Sequence, residues 1–172
     1  MNKILQLALG LLISVSVLQA HSDAFKPQFV DTVVDPYLSI QKALAGDDLK
    51  AAQVGAKAFL QAMELAPHAG EAHQEVVALR APVKRIAAAS DIKVARTAFL
   101  ESSRQMIALI EHVGVTKDTP IFTAFCPMAF DGKGGEWVQS DEKVANPYYG
   151  SMMFRCGSIQ KQIAGSPDHS HE

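Results

Sequence analysis

Only two cysteines occur in the 172 residues, Cys126 and Cys156, and neither belongs to a Cys-x-x-Cys-His haem-attachment sequence. No nucleophile elbow, phosphate-binding loop or metalloprotease helix motif occurs either. Cys126 has no identifiable base to activate it as a nucleophile. The two cysteines are far apart in sequence with no activating neighbour, which argues against a thiol-redox enzyme. These absences predict a protein that is not an enzyme. Positive charge is in short supply as well: 16 Lys and Arg stand against 18 Asp and Glu, for a formal net charge of -2. No basic stripe runs along the chain, so nucleic acid is not expected as a partner. Beyond the first twenty residues no apolar run is long enough to span a bilayer, and no membrane span is expected once those residues are removed. There is no βαβ alternation and no internal repeat.

The start of the chain has the pattern of a leader. Met1-Asn2-Lys3 is short and basic, residues 4–18 are almost wholly apolar, and Leu18-Gln19-Ala20 offers a small residue before His21. That order predicts a secretory signal peptide over residues 1–20 and a working chain in the periplasm or outside the cell. An uncleaved anchor is the alternative, and the apolar run is short for it. Cleavage after Ala20 makes His21 the new N-terminus, where amine and imidazole together form a secondary metal candidate, a Cu(II) chelate; a frayed terminus is the rival reading. About 150 residues then remain, enough for one domain with a real core.

Residues 21–164 read as that single domain. Apolar residues recur at helical spacing from Phe29 through Val33, Tyr37, Ile40 and Leu44, with Pro36 expected to kink the helix or start a new one. Gly46-Asp47-Asp48 stops it and caps a second helix over residues 48–65. A third segment covers residues 71–89 with a kink expected at Pro82, and Ser90 or Asp91 caps a fourth that ends at Gly114. Four alanine-rich amphipathic segments with short joins predict an all-α fold, an antiparallel four-helix bundle. The composition then changes. Residues 116–157 form a C-terminal extension holding the only Trp, both Cys and three Pro. It is expected to be irregular, or to hold a small β-hairpin: Phe122, Ala124 and Cys126 alternate like a strand, Asp131-Gly132-Lys133-Gly134-Gly135 signals a turn, and Glu136-Trp137-Val138-Gln139 is the returning strand. Residues 158–163 read as a last short helix, and residues 165–172 as a disordered tail.

The sharpest chemistry lies in the extension. Cys126-Pro127-Met128 is followed by Met152-Met153-Phe154-Arg155-Cys156-Gly157. Thiolates and thioethers are soft ligands, which select Cu(I) or Ag(I) over hard cations. Cys126 and Met128 share a face on extended backbone, and Met153 and Cys156 meet across one helical turn or a tight loop. The candidate metal set is therefore Cys126, Met128, Met153 and Cys156, with Met152 as a secondary member. Zinc fits less well, because Met is a poor zinc ligand and no His is adjacent. The competing readings are a Cys126–Cys156 disulfide, ordinary in an oxidising compartment, with the methionines as core filler, and plain free thiols. Trp137, Tyr148 and Tyr149 are read as packing the extension onto the helices, as shielding a metal, or as meeting a protein partner. Arg96, on an otherwise apolar helix, is expected to pair with an acidic residue or to hold the extension. His68 and His73 read as surface residues, His112 as a favourable charge near a helix C-terminus, and His169 and His171 as part of a solvated tail.

Cys126-Pro127-Met128-Ala129, Gly135-Glu136-Trp137-Val138-Gln139, Asn146-Pro147-Tyr148-Tyr149-Gly150, Met153 and Cys156-Gly157 together resemble the signature of a family of unknown function. Ala95-Arg96, Phe99 and Ser103, and Tyr37-Leu38 with Asp47-Asp48, resemble other stretches of it. That family is an exported helical domain, found alone or fused to the C-terminal end of periplasmic adaptor subunits of copper and silver efflux pumps. The resemblance implies Cu(I) or silver as the bound ion, an efflux adaptor subunit as the partner, and Met153 ahead of Met152 as a ligand. The function expected from the whole is a periplasmic soft-metal chaperone or sequestering module. The alternative is a structural domain with a Cys126–Cys156 bridge that binds an efflux adaptor or another envelope protein.

Overall fold

A computed structural model describes residues 25–67 and 72–165. The expected signal peptide, His21, His68 and the tail with His169 and His171 lie outside those residues.

Four long helices stand where the periodicity places them. Helix α1 runs Pro27–Ala45, with Pro27 in its first turn, where a missing N–H removes no helical bond. Pro36 neither ends nor restarts it. Val33, Val34, Tyr37 and Ile40 on both sides of the proline are buried in one core, and that packing keeps the two halves in a single helix. Helix α2, Leu49–Ala62, is capped by Asp48, whose Oδ1 accepts the Ala51 N–H at 2.9 Å, and a 3-10 turn, Met63–Leu65, continues it. Gly55 lets α2 lie close on α1, since a Cβ there would stand 3.2 Å from the Ile40 nitrogen. Helix α3, Ala72–Ala87, passes through Pro82 without a break. Helix α4, Ile92–Val113, is capped by Asp91 on the Val94 N–H at 3.0 Å and stops at Gly114, whose φ of 83° a side chain would resist. Each helix packs on the next, and α1 also meets α4.

The expectation of an all-α fold gives way at the extension. The described chain is mostly helical, but β1 (Ile121–Cys126), β2 (Gly135–Gln139) and β3 (Ser158–Ala164) form an antiparallel sheet in the order β2-β1-β3. The expected hairpin is β1 and β2, with Ala124 opposite Trp137. The short helix expected at residues 158–163 is instead the strand β3. It is an edge strand, and pairing with β1 satisfies one side of its backbone. Between β1 and β2 lies a one-turn segment, α5 (Ala129–Gly132), in which Phe130 and Asp131 are left-handed with φ of 54° and 57°.

The sheet and the helices share one core. Strand β2 lies against α4 and α1. The Tyr37 and Phe99 rings stack with centroids 5.1 Å apart, and Tyr148 stands edge-on to Trp137 at 5.7 Å. Buried hydroxyls close the seam: Tyr37 Oη lies 2.8 Å from Ser103 Oγ and accepts the Val138 N–H at 3.1 Å, while the Tyr148 hydroxyl donates to the Glu136 carbonyl. Burial pushes both tyrosine hydroxyls well above their ordinary range, so they serve as neutral hydrogen-bonding groups.

Candidate thiol site

Cys126 is the last residue of β1 and is fully buried; Cys156 is half-buried and lies two residues before β3. The antiparallel register opposes Phe125 to Ser158, which brings the end of one strand to the beginning of the other. The two sulfurs stand 3.0 Å apart as free thiols. Gly157 makes that approach feasible. Its φ is 120°, and a Cβ there would lie 2.6 Å from the Phe125 carbonyl oxygen and 3.2 Å from the Trp137 ring. The Cys156 thiol is pushed above its ordinary range, first by its hydrogen bond to Cys126, then by burial and by the Cys126 charge.

Asn146 organises the segment that carries Cys156. It is fully buried. Its Nδ2 donates to the Cys156 carbonyl at 2.8 Å and its N–H donates to the Phe154 carbonyl at 2.8 Å. Its Oδ1 accepts the N–H groups of Tyr148 and Tyr149 at 2.8 and 3.1 Å. Gln139 does the same for the turn before it, accepting from the Trp137 indole at 2.9 Å and from the Ala145 N–H at 3.2 Å. Neither residue is among the candidate site residues of the sequence, although both stand in the stretches that carry the family resemblance. Asn146-Pro147 signals a turn, but nothing in the pattern tells a turn-forming Asn from one that ties four backbone groups.

Arg96 takes both of its expected roles. Nε donates to the Pro147 carbonyl at 2.8 Å, and Nη2 donates to the Leu44 carbonyl at 2.8 Å and to Asp47 Oδ1 at 2.6 Å. Asp47 Oδ2 accepts the Ser151 N–H at 2.8 Å. The Asp47 carboxyl is thereby held down to about 2, first by the Ser151 hydroxyl, then by Arg96 and the Ser151 N–H, with desolvation opposing. Gly150, φ 61°, sits against this ion pair; a Cβ there would collide with both Asp47 and Arg96.

The structure brings the two cysteines together and places the methionines around them differently. Met128 is 54% exposed at the start of α5, and Met152 is 77% exposed in a 3-10 turn, Gly150–Met153. Met153 is half-buried, and its carbonyl accepts the Cys156 N–H at 2.9 Å. Neither Met128 nor Met152 fills core; Met63 and Met106 do that, fully buried. Trp137 and Tyr148 are buried and pack the extension onto the helices, so of the three aromatics read as partner contacts Tyr149 keeps the most surface. Its hydroxyl donates to the Met128 carbonyl at 2.6 Å. His73 and His112 are exposed.

Two thiols at one point form a soft donor pair. Among the described residues no group of three or more His, Cys, Asp and Glu side chains converges, so sulfur is the chemistry the site offers. The 3.0 Å separation exceeds the S–S bond of about 2.05 Å. It is less than the ~4.6 Å that two collinear metal–sulfur bonds of about 2.3 Å would span. A disulfide closes with a small approach of the sulfurs, and a metal bridge needs them to open.

No curated protein and no solved structure matches this chain. A family model does match, over residues 33–118, a stretch that contains Tyr37, Asp47, Arg96 and Ser103 and ends before β1 and both cysteines. The chain therefore belongs to the family described as proteins of unknown function, DUF3347.

Proposed function

We propose that this protein is an exported soft-metal module that holds Cu(I) or Ag(I) between Cys126 and Cys156 in the periplasm and serves metal efflux as a chaperone or sequestering protein. In this reading the four helices act as an antiparallel bundle, the scaffold for the thiol site, and a periplasmic efflux-adaptor subunit is the partner. No catalytic step is involved. The observation that carries the reading is the convergence of the two thiols at 3.0 Å. The exposed thioethers of Met128 and Met152 support it, because a methionine left in water adds little to a core and remains available as a ligand or a transfer point. Half-buried Met153 is the further donor that the Cys126–Cys156 pair would recruit. The test is a competition titration of the reduced full chain against a Cu(I) chelator. Wild type should take copper from the chelator, with Cys126→Ser and Met153→Leu both weaker. Identical curves for wild type and Cys126→Ser would refute the reading.

A second reading is favoured by the same separation, which lies nearer to an S–S bond than to a metal bridge. Here a Cys126–Cys156 disulfide pins the extension, and Tyr149 faces an envelope protein. A flat copper titration, together with a bridge that mild reductant leaves closed, selects it.

A further inference from the structure

Strand pairing fixes Cys126 but not Cys156. Cys126 ends β1, which is hydrogen-bonded on both sides by β2 and β3. Cys156 sits outside the sheet, at the end of a segment, residues 146–156, whose one regular element is a four-residue 3-10 turn. The extension holds part of that segment, through the Tyr148 and Tyr149 hydroxyls on the Glu136 and Met128 carbonyls, and the helices hold it through two charged side chains. Arg96 on α4 grips its beginning through the Pro147 carbonyl, and Asp47, from the α1–α2 corner, grips its middle through the Ser151 N–H. Arg96 also ties Asp47 and the Leu44 carbonyl to itself, so the corner and α4 act as one jaw. Asn146 carries the hold to the other end, bonding the Phe154 and Cys156 backbones. Gly150 is what lets the segment enter the jaw.

We infer that the Asp47–Arg96 pair is the positioning device of the thiol site: by clamping residues 146–156 onto the helices it sets the effective concentration of the Cys156 thiol at Cys126 Sγ. The inference concerns the thiol pair itself and holds whether that pair takes up a metal or closes a bridge. The work requires a guanidinium. The Arg96 side chain is 13% exposed, and its Nε and Nη2 serve acceptors on different chain segments at once, which the point charge of a lysine does not reproduce. Asp47 is likewise specific. Its φ is 59°, a left-handed conformation that aspartate tolerates better than most residues and that orients both carboxylate oxygens, one to Arg96 and one to Ser151.

The test measures the thiol–disulfide equilibrium of the full chain in glutathione buffer. Glutathione disulfide accepts two electrons from the Cys126 and Cys156 thiols, leaving one protein disulfide and two glutathione thiols. Alkylation of the remaining thiols and mass spectrometry then give the oxidised fraction. Arg96→Lys and Asp47→Asn should each lower the equilibrium constant by about tenfold, roughly 30 mV, since each removes charge-assisted hydrogen bonds that hold the segment. Arg80→Lys, at the Arg80–Glu64 pair that ties α3 to the turn after α2, should leave it within about twofold of wild type. Far-UV circular dichroism confirms that the helices persist; should Arg96→Lys lose them, Asp47→Asn and Gly150→Ala carry the comparison. A chain that fails to bind Cu(I) yet shows the fall supports this inference and refutes the metal reading. An unchanged equilibrium in folded Arg96→Lys and Asp47→Asn overturns the inference, as does an equal fall in Arg80→Lys.

Discussion

Removing a single oxygen, in Tyr37→Phe, tests how the sheet is joined to the helices. Tyr37 is fully buried on α1, and its hydroxyl meets Ser103 of α4 at 2.8 Å and the Val138 N–H of β2 at 3.1 Å. The ring itself packs on Phe99, and Phe preserves that stacking and nearly all of the apolar contact. What is lost is the acceptor for a buried backbone donor. An orphaned buried polar group costs about 1–3 kcal/mol, and Val138 N–H has no water to turn to. Ser103 keeps a long contact to the Tyr148 hydroxyl at 3.4 Å and suffers less. The expected loss is therefore about 2 kcal/mol, which for a domain of this size lowers the melting temperature by about 4–8 °C. The matching double variant separates the terms. Adding Ser103→Ala removes the other unsatisfied partner, so the double variant should lose less than the sum of the two singles. Urea unfolding followed through Trp137 gives both numbers, because this single tryptophan lies in the same seam. A Tyr37→Phe chain within about 0.5 kcal/mol of wild type would show that the seam is held by ring packing alone and that the hydroxyl network is incidental.

Gly157→Ala should separate the thiols as well as destabilise the chain by about 2 kcal/mol, since φ 120° is strained for alanine and its Cβ would press on the Phe125 carbonyl. Faster amide exchange in β3, together with a weaker tendency to form the bridge, checks it; unchanged β3 exchange would refute it. The Asp47 carboxyl carries a pH signature. Its folded value of about 2 lies below the ordinary 3.8, so its contribution is present above pH 3.8 and is lost as the pH falls through about 2. Asp47→Asn should then flatten the acid limb of a stability-against-pH curve in that window, and a variant whose curve parallels wild type would contradict the assignment.

The helices were readable because their signals are local: periodic apolar residues, Asp48 and Asp91 at N-caps, Gly114 past a C-terminus. The new start expected at Pro36 does not occur. Pro36 and Pro82 remove a bond apiece, but buried neighbours on either side keep each helix continuous, and burial is not visible in a window of sequence. Residues 158–163 fail the same way in reverse, because their state is decided by β1, more than thirty residues upstream. At the site, soft-ligand chemistry singles out Cys126 and Cys156 and the structure joins them. It does not single out Asn146, Gly150 or Gly157, whose importance lies in contacts that only the fold creates.

The family match ends at residue 118, yet residues beyond 118 complete the faces of the matched helices. Tyr37 bonds to β2, Phe99 lies 6.1 Å from the Tyr148 ring, Gln41 Nε2 donates to the Ala145 carbonyl at 2.6 Å, and Arg96 grips Pro147. All four helical residues are within the matched stretch, and all four partners are outside it. A pure helical domain would face these positions with one another or with solvent. Here they are polar and aromatic sockets for an extension, and Arg96 in particular is a half-buried charge whose acceptors include one that the helices do not supply. The helical stretch and the cysteine-bearing stretch are therefore one physical unit. The helices form the surface on which two distant cysteines are brought together.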